Sequence, residues 1–197
     1  MVIAYYDGGS MYASRFWWLL KYLGHEKVYV LNEGFGGWKD ARYPVTQEIP
    51  KSNPVKYEVN IQEDMLVSVK EVKDIVENNK EHAVLVDSRA RERYLGEVEP
   101  IDKVAGHIPG AINKMWVEGF RDGSFKTSKE QQERFAELDK EDPVVVYCGS
   151  GVSATPNYIA LKMAGFTNVK LYAGSYSDWV SYDDNEVEKG NVTRKKL

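Results

Sequence analysis

Three features of the sequence predict an α/β fold with a parallel sheet. The runs Ala83-Val84-Leu85-Val86 and Val144-Val145-Val146 are short, apolar and continuous, as expected of strands buried on both faces. Segments with helical periodicity separate these runs, so strands and helices alternate along the chain. The residues with reactive side chains lie just past strand ends: Asp87, Ser88 and Arg89 after one run, Cys148 after the other. In parallel sheets, ligands bind at the carboxyl ends of the strands, so these two groups can converge on one pocket.

The elements follow in order. Residues 1–45 read as a diverged copy of residues 142–186 at a constant offset of 147 − 6 = 141. At that offset Tyr6 falls on Tyr147, Gly8 on Gly149, Ala13 on Ala154, Leu20 on Leu161, Gly24 on Gly165, Val28 on Val169 and Trp38 on Trp179. Asp7 falls on Cys148, so the first copy has a carboxylate where the second has a thiol. Residues 46–66, with Pro50 and Pro54, read as an extended surface linker. Ser68-Val69-Lys70-Glu71 is a capping box that opens a helix running to about Asn79, with Val69, Val72, Ile75 and Val76 inward. Segment 89–99 reads as a turn or short helix, and 128–139 as a helix with Phe135 and Leu138 inward. A helix follows Cys148 from about Asn157 to Met163 and stops at Gly165. A strand at Val169–Tyr172 and a short helix near Ser177–Val180 close the fold, and the charged tail 183–197 reads as frayed.

The stretch that carries chemistry is Cys148-Gly149-Ser150-Gly151-Val152-Ser153-Ala154. Two glycines permit a tight curl, and consecutive amides curled about one point form an anion-binding nest. A helix N-terminus behind the nest adds unpaired N–H groups and partial positive charge. A thiolate at its centre is a stabilised nucleophile. Free cysteine is commonly a core residue, but a core cysteine needs neither two glycines nor two hydroxyls in the next five positions. Asp87 and Arg89 read as a structural ion pair, and His107, between Gly106 and Ile108-Pro109, as a residue that orders its loop.

The loop from Cys148 to Ala154 resembles the active-site loop of the rhodanese-type sulfurtransferases. Asp87-Ser88-Arg89, Arg93-Tyr94-Leu95-Gly96 and Ala105-Gly106-His107-Ile108-Pro109-Gly110-Ala111 resemble the first-half signature of the same family. The resemblance implies a rhodanese-like parallel sheet flanked by helices, preceded by a partial second copy of that fold. It divides the chain into the C-terminal part of an inactive copy (1–45), a linker (46–66), a catalytic domain (67–182) and the tail (183–197). It also implies transfer of sulfane sulfur from thiosulfate or 3-mercaptopyruvate through a Cys148 persulfide, to cyanide, a thiol or a thioredoxin-like acceptor. Arg93 occupies the place of the family's anion-binding arginine. The bland alternative is a surface arginine paired with Glu92 or Glu97. Gly149, Ser150, Gly151, Val152 and Ser153 would cradle the donor and the bound sulfur.

Small Gly149 and Ser150 resemble the mercaptopyruvate enzymes. Those enzymes often carry a second arginine after a Glu-Pro, and here Glu99-Pro100 leads into Ile101-Asp102-Lys103, which tips the balance narrowly to thiosulfate. A cysteine phosphatase of related fold would need an arginine at position 154, which is alanine. A non-catalytic rhodanese-like module, or an inactive truncated fragment, is the competing class.

Composition bounds the rest. A net charge of −4 gives no electrostatic case for nucleic acid or an anionic membrane, and no run of 18 apolar residues exists. One cysteine and three scattered histidines argue against a metal cluster, and no cofactor is implied. A lone reactive thiol and the lack of a secretory pattern set the expectation of a cytoplasmic protein. Trp17, Trp18, Leu19, Leu20 and Tyr22 would be uncovered in a partial first copy, which predicts a homo-oligomer.

Overall fold

The computed structural model describes residues 1–6, 11–51, 53–78 and 82–191. The N-terminal unit runs β1 (Val2–Ala4), α1 (Met11–Tyr22), β2 (Val28–Val30) and α2 (Gly34–Asp40). The larger unit continues with β3 (Leu66–Val67), α3 (Val69–Asn78), β4 (Val84–Asp87), α4 (Arg91–Leu95) and β5 (Ile112–Asn113). It then passes through an antiparallel ribbon, β6 (Phe120–Arg121) with β7 (Ser124–Phe125), to α5 (Ser128–Arg134). β8 (Val144–Tyr147), α6 (Thr155–Ala164), β9 (Val169–Tyr172) and α7 (Ser175–Trp179) complete it.

Five strands form a parallel sheet in the order β3-β9-β8-β4-β5. The central strands alternate their side chains between two apolar layers, as a period of two requires. Val84, Val86, Val144, Val146 and Leu171 face a layer with Phe135, Tyr158, Leu161 and Phe166 from the α5–α6 side. Leu85, Val145, Tyr147 and Tyr172 face Val72, Ile108, Tyr176 and Trp179 on the other. The parallel α/β sheet read from the sequence is thus present, with helices on both faces.

The offset of 141 recurs in the geometry. Gly24 and Gly165 are both left-handed, at φ 85° and 95°. His25 N–H bonds to Leu20 C=O as Phe166 N–H does to Leu161 C=O, and Gly24 N–H to Lys21 C=O as Gly165 N–H does to Lys162 C=O. These are paired Schellman closures, four times displaced by the same number. The strand register differs by one residue: Val2 pairs with Val28, 26 apart, whereas Val144 pairs with Val169, 25 apart. β1 and β2 form their own parallel pair, separate from the five-stranded sheet. The Asp7 and Gly8 of the sequence alignment lie outside the described residues.

Several expectations need correction. The interval 46–66 is not surface linker throughout, because Leu66 belongs to edge strand β3, paired with Leu171. Asn60 N–H bonds to Leu23 C=O, Gln62 N–H to Tyr22 C=O and the Tyr57 hydroxyl to Leu23 C=O, so the end of the linker is tied to the end of α1. The tail is not frayed from 183: Glu188 pairs with His107 through two backbone bonds, and Gly190 N–H bonds to Leu95 C=O. The charges that suggested solvent conceal an edge that the His107 loop needs for its own amide. Helix α5 ends at Arg134 rather than 139, although Phe135 and Leu138 are buried as expected. Trp18 is not uncovered, since it is buried against Tyr158 and stacked on Tyr22. Leu19 is exposed as expected, and the open stripe of α1 that it belongs to runs through Tyr12 and Phe16.

Candidate active site

Cys148 directly follows β8 and precedes α6, and its side chain is 1% exposed. Its carbonyl accepts from Tyr176 N–H at 2.9 Å and the Gly149 carbonyl from Ser177 N–H at 3.0 Å, so both oxygens turn toward α7. Cys148 N–H donates to Ser175 Oγ at 3.1 Å, and that hydroxyl donates to Tyr172 C=O at 2.8 Å. Ser175 sits at φ 58°, which is unfavourable for a residue with a Cβ. This strained residue fixes the backbone at the base of the loop.

The rest of the loop differs. No N–H of residues 149–153 donates to an acceptor among the described residues. Five consecutive donors are therefore left for a ligand or solvent, the property a nest requires. Gly151 makes the curl possible. It lies at φ 74°, and a Cβ there would stand 2.4 Å from Ala173 C=O, so no larger residue fits without moving β9's end. Ser150 is exposed, while Val152 and Ser153 are half-buried. The Val152 carbonyl accepts from Thr155 N–H at 3.1 Å and Thr155 Oγ1 at 2.7 Å, which closes the loop onto α6.

Arg93 reaches this loop from α4. A Cβ on Gly149 would lie 3.7 Å from Arg93 Nη1, so the guanidinium borders the residue after the cysteine. Its other nitrogens are engaged: Nη2 donates to Glu99 Oε1 at 2.7 Å and Asp102 Oδ2 at 3.2 Å, and Nε donates to Glu99 Oε2 at 3.2 Å. The carboxylates that hold it are neither Glu92 nor Glu97. Glu99 also takes Arg89 Nη1 at 3.1 Å. Burial opposes ionisation of Glu99, but the Arg93 hydrogen bond and the amides of Asp102 and Ile101 outweigh it and keep its pKa below the ordinary value.

Beneath this lies a buried framework. Arg89 grips Asp87 through Nε and Nη2, the latter at 2.7 Å, and Nη2 also donates to Gly106 C=O at 2.6 Å. Its guanidinium lies 3.9 Å above the Tyr176 ring. Burial disfavours this charge, yet Asp87 more than compensates and raises its pKa. The expected structural ion pair is therefore the floor under Arg93. Asn157 ties α6 to the same region, donating to Ser88 Oγ at 2.9 Å and Lys114 C=O at 2.7 Å.

His107 orders its loop as expected. Its Nδ1 lies 2.7 Å from Tyr94 C=O and its ring stacks on Tyr94 at 3.8 Å. Nε2 has no hydrogen-bond partner, with Glu188 Oε2 at 3.8 Å. Burial lowers its pKa, outweighing the Tyr94 carbonyl, Glu188 and Asp87; Arg89 adds to the lowering. In the unfolded chain, where its pKa is about 6.5, His107 therefore binds more protons at acid pH than it does in the folded protein. The His107 contribution to stability should be complete above that pH and be lost as pH falls below it, by at most about 1.4 kcal/mol per pH unit. Thermal midpoints from pH 7.5 to 5 should fall less in His107→Gln than in wild type, once each is referred to its own value at pH 7.5. Parallel curves would show that His107 does not titrate in this way.

The structure thus brings Cys148, Gly149 and Arg93 together. Ser175, Glu99 and Asp102 also shape the site, and sequence reasoning did not single them out. The only signal for Glu99 was its place in Glu99-Pro100, six residues beyond Arg93. Among the described residues no group of three or more His, Cys, Asp or Glu side chains could hold a metal ion.

The rhodanese-like domain family model matches residues 1–41 and 68–182. A protein of Pseudomonas aeruginosa named probable 3-mercaptopyruvate sulfurtransferase is 37% identical over 195 residues, spanning 96% of this chain and 68% of its own length. Thiosulfate sulfurtransferase of Bos taurus is 33% identical, over 90% of this chain and 62% of its own. The chain thus spans roughly two thirds of these relatives' length. The crystal structure of SseA from Escherichia coli, described as a 3-mercaptopyruvate sulfotransferase, superposes with a TM-score of 0.76 at 33% identity, covering 89% of this chain and 66% of that one. An anaerobic ergothioneine biosynthesis enzyme from Chlorobium limicola superposes at 0.85 with 23% identity, over 98% of this chain and 52% of that one, a likeness of fold alone. The matched segments include both the Cys148 loop and the Asp87–Ala111 signature, and the chain belongs to the rhodanese-like domain family.

Proposed function

We propose that this chain is a sulfurtransferase that takes sulfane sulfur from a small anionic donor onto Cys148 and passes it to a thiophilic acceptor. The observation that carries the reading is the run of five unpaired amides, 149–153, directly after the cysteine, with Arg93 Nη1 beside Gly149.

The reaction is a double displacement. The Cys148 thiolate attacks the outer sulfur of thiosulfate, a new S–S bond forms, the donor's S–S bond breaks, and sulfite leaves with the electron pair. With 3-mercaptopyruvate the C–S bond breaks instead, and the pyruvate enolate leaves and is protonated in solvent. Cyanide, a thiol or a reduced thioredoxin-like protein then attacks the outer sulfur of the persulfide and returns Cys148 to the thiolate. Covalent capture divides one transfer into two easier ones. The loop amides, already in place, stabilise the anionic sulfur without reorganising. Arg93 Nη1 contributes a fixed, directional donor to the anionic end.

Thiosulfate is the donor favoured, because the segment after Glu99-Pro100 supplies carboxylate Asp102 to Arg93 rather than a second arginine. The proposal extends to a cytoplasmic setting and to self-association through the exposed Tyr12, Phe16 and Leu19 face of α1. Intact-protein mass spectrometry after exposure to each donor, followed by thiocyanate formation from cyanide, tests the reading. One added sulfur from thiosulfate, removable by cyanide, is expected, with a larger kcat/KM for thiosulfate than for 3-mercaptopyruvate. No sulfur added from either donor would leave a non-catalytic rhodanese-like module as the better description.

A further inference from the structure

The proposed site has a charge problem. A thiosulfate donor is a dianion, and the cation offered to it, Arg93, already belongs to a carboxylate-rich cluster. Asp87, Glu99 and Asp102 face Arg89 and Arg93, three acids against two bases. With all five ionised the cluster carries a net charge of −1, so the charge of Arg93 is already offset within its own cluster. Beyond the loop amides, a further cation would strengthen the hold of such a site on a dianion.

One is present on the N-terminal unit. Met11, Arg15 and Trp18 are spaced at i, i+4 and i+7 and so share one face of α1. Both flanking members of this stripe meet the catalytic unit. The Met11 carbonyl oxygen lies 3.5 Å from Thr155 Oγ1, at the first residue of α6; the hydroxyl proton itself goes to the Val152 carbonyl at 2.7 Å, so this is a packing contact. Trp18 lies in the same buried cluster as Cys148, Ala154 and Tyr158. Arg15, between them in the stripe, therefore lies on the face of α1 that meets this unit, with its guanidinium carbon 4.9 Å from the Trp18 ring centroid.

Its head group is unsatisfied. Arg15 Nη1 is buried and has no hydrogen-bond partner, and Arg15 forms no ion pair among the described residues. A buried guanidinium nitrogen without an acceptor is costly, and an acceptor brought from outside the chain would relieve that cost. Electrostatics agree with the placement: burial lowers the Arg15 pKa, and the charge that opposes this is the Cys148 thiolate.

We infer that Arg15 is a second anion-binding residue of the Cys148 site, supplied by the N-terminal unit, and that it contacts the sulfonate or carboxylate end of the donor. The inference rests on the sulfur-transfer reading for the identity of the donor, but not for the binding itself. It gives the N-terminal unit a role beyond packing: it delivers positive charge that the carboxylate-rich catalytic half lacks.

Two measurements separate this inference from the transfer reading. In steady state, Arg15→Gln should raise the KM for thiosulfate about 10- to 100-fold while kcat at saturating donor stays within about threefold, because a charged hydrogen bond to the donor is lost. Arg15→Lys, which keeps the charge, should recover most of the loss. Thermal midpoints of both variants should match wild type. Independently of turnover, thiosulfate titrated into Cys148→Ser protein and followed by tryptophan fluorescence should bind at least 10-fold more weakly when Arg15→Gln is added. If wild type transfers sulfur but Arg15→Gln leaves KM and thiosulfate binding within twofold, the inference is overturned and the transfer reading survives. Equal loss in Arg15→Lys and Arg15→Gln, or no thiosulfate binding to Cys148→Ser protein, also overturns it. If wild type transfers nothing yet thiosulfate binding depends on Arg15, the inference stands and the transfer reading fails.

Discussion

Replacing Cys148 by serine is expected to abolish sulfur transfer while leaving the fold intact. Serine is close to cysteine in size, and the site is 1% exposed, so the cavity it leaves is small. The anchors of the loop do not involve the side chain: Cys148 N–H to Ser175 Oγ, Tyr176 N–H to Cys148 C=O, and Ser177 N–H to Gly149 C=O are all main-chain on the Cys148 side. The hydroxyl does add a polar group to a cluster that includes Trp18, Val146 and Ala154, a cost of order 1 kcal/mol. Chemistry suffers far more. A serine hydroxyl is almost wholly protonated at neutral pH and cannot hold a sulfane sulfur, so both half-reactions lose their carrier. Transfer from either donor should fall below about a thousandth of wild type, with no added sulfur in the intact mass and a thermal midpoint within a few degrees. A variant that keeps more than about a tenth of wild-type turnover would show that sulfur moves by another route.

The sequence made the sheet legible because its signals are local. Val84–Val86 and Val144–Val146 are continuous and β-branched, and nothing in the tertiary structure overrides them. Ser68 and Glu71 form the reciprocal capping bonds their spacing implied. Gly151 was legible as a curl, and its clash distance to Ala173 now gives the reason. What was not legible is non-local. Glu99 and Asp102 are unremarkable acids in a charged stretch until α4 folds back and places Arg93 between them. Tail residue Glu188 supplies both backbone partners of His107, 81 positions away by 188 − 107, and composition alone recommended solvent. Ser175 carries a positive φ that only the chain's turn into α7 imposes. Arg15 was invisible for a different reason. The repeat draws attention to Asp7 in place of a nucleophile, and the first copy reads only as inactive in transfer. The N-terminal unit nonetheless packs α1 against the neighbouring one, with Trp18 in the same buried cluster as Cys148 and Tyr158.

The second large effect should come from Asp87→Ala, and it should fall on stability. Asp87 is fully buried at the end of β4, where its Oδ1 accepts the amide and Nε of Arg89 and its Oδ2 accepts Nε and Nη2. Removing it leaves the Arg89 guanidinium, itself 3% exposed, with only Glu99 and the Gly106 carbonyl. Truncating one partner of a buried ion pair costs about 3–5 kcal/mol, because the remaining charge has lost both water and counter-ion. For a chain of this size that is roughly 6–20 °C in thermal midpoint. Glu99 cannot take over the role, since both its oxygens are already engaged by Arg93 and the amides of Ile101 and Asp102. The double variant Asp87→Ala/Arg89→Met should be more stable than Asp87→Ala alone, because the stranded charge is gone and an apolar stem replaces it. Urea midpoints of the two variants decide the matter. A single variant that loses less than about 1 kcal/mol, or a double variant less stable than the single, would show that the floor beneath Arg93 is held by the backbone and not by this pair. With the pair intact, Arg93 is pinned next to Gly149; without it, any surviving folded protein should bind donor more weakly, because the same Glu99 must then serve two unanchored arginines.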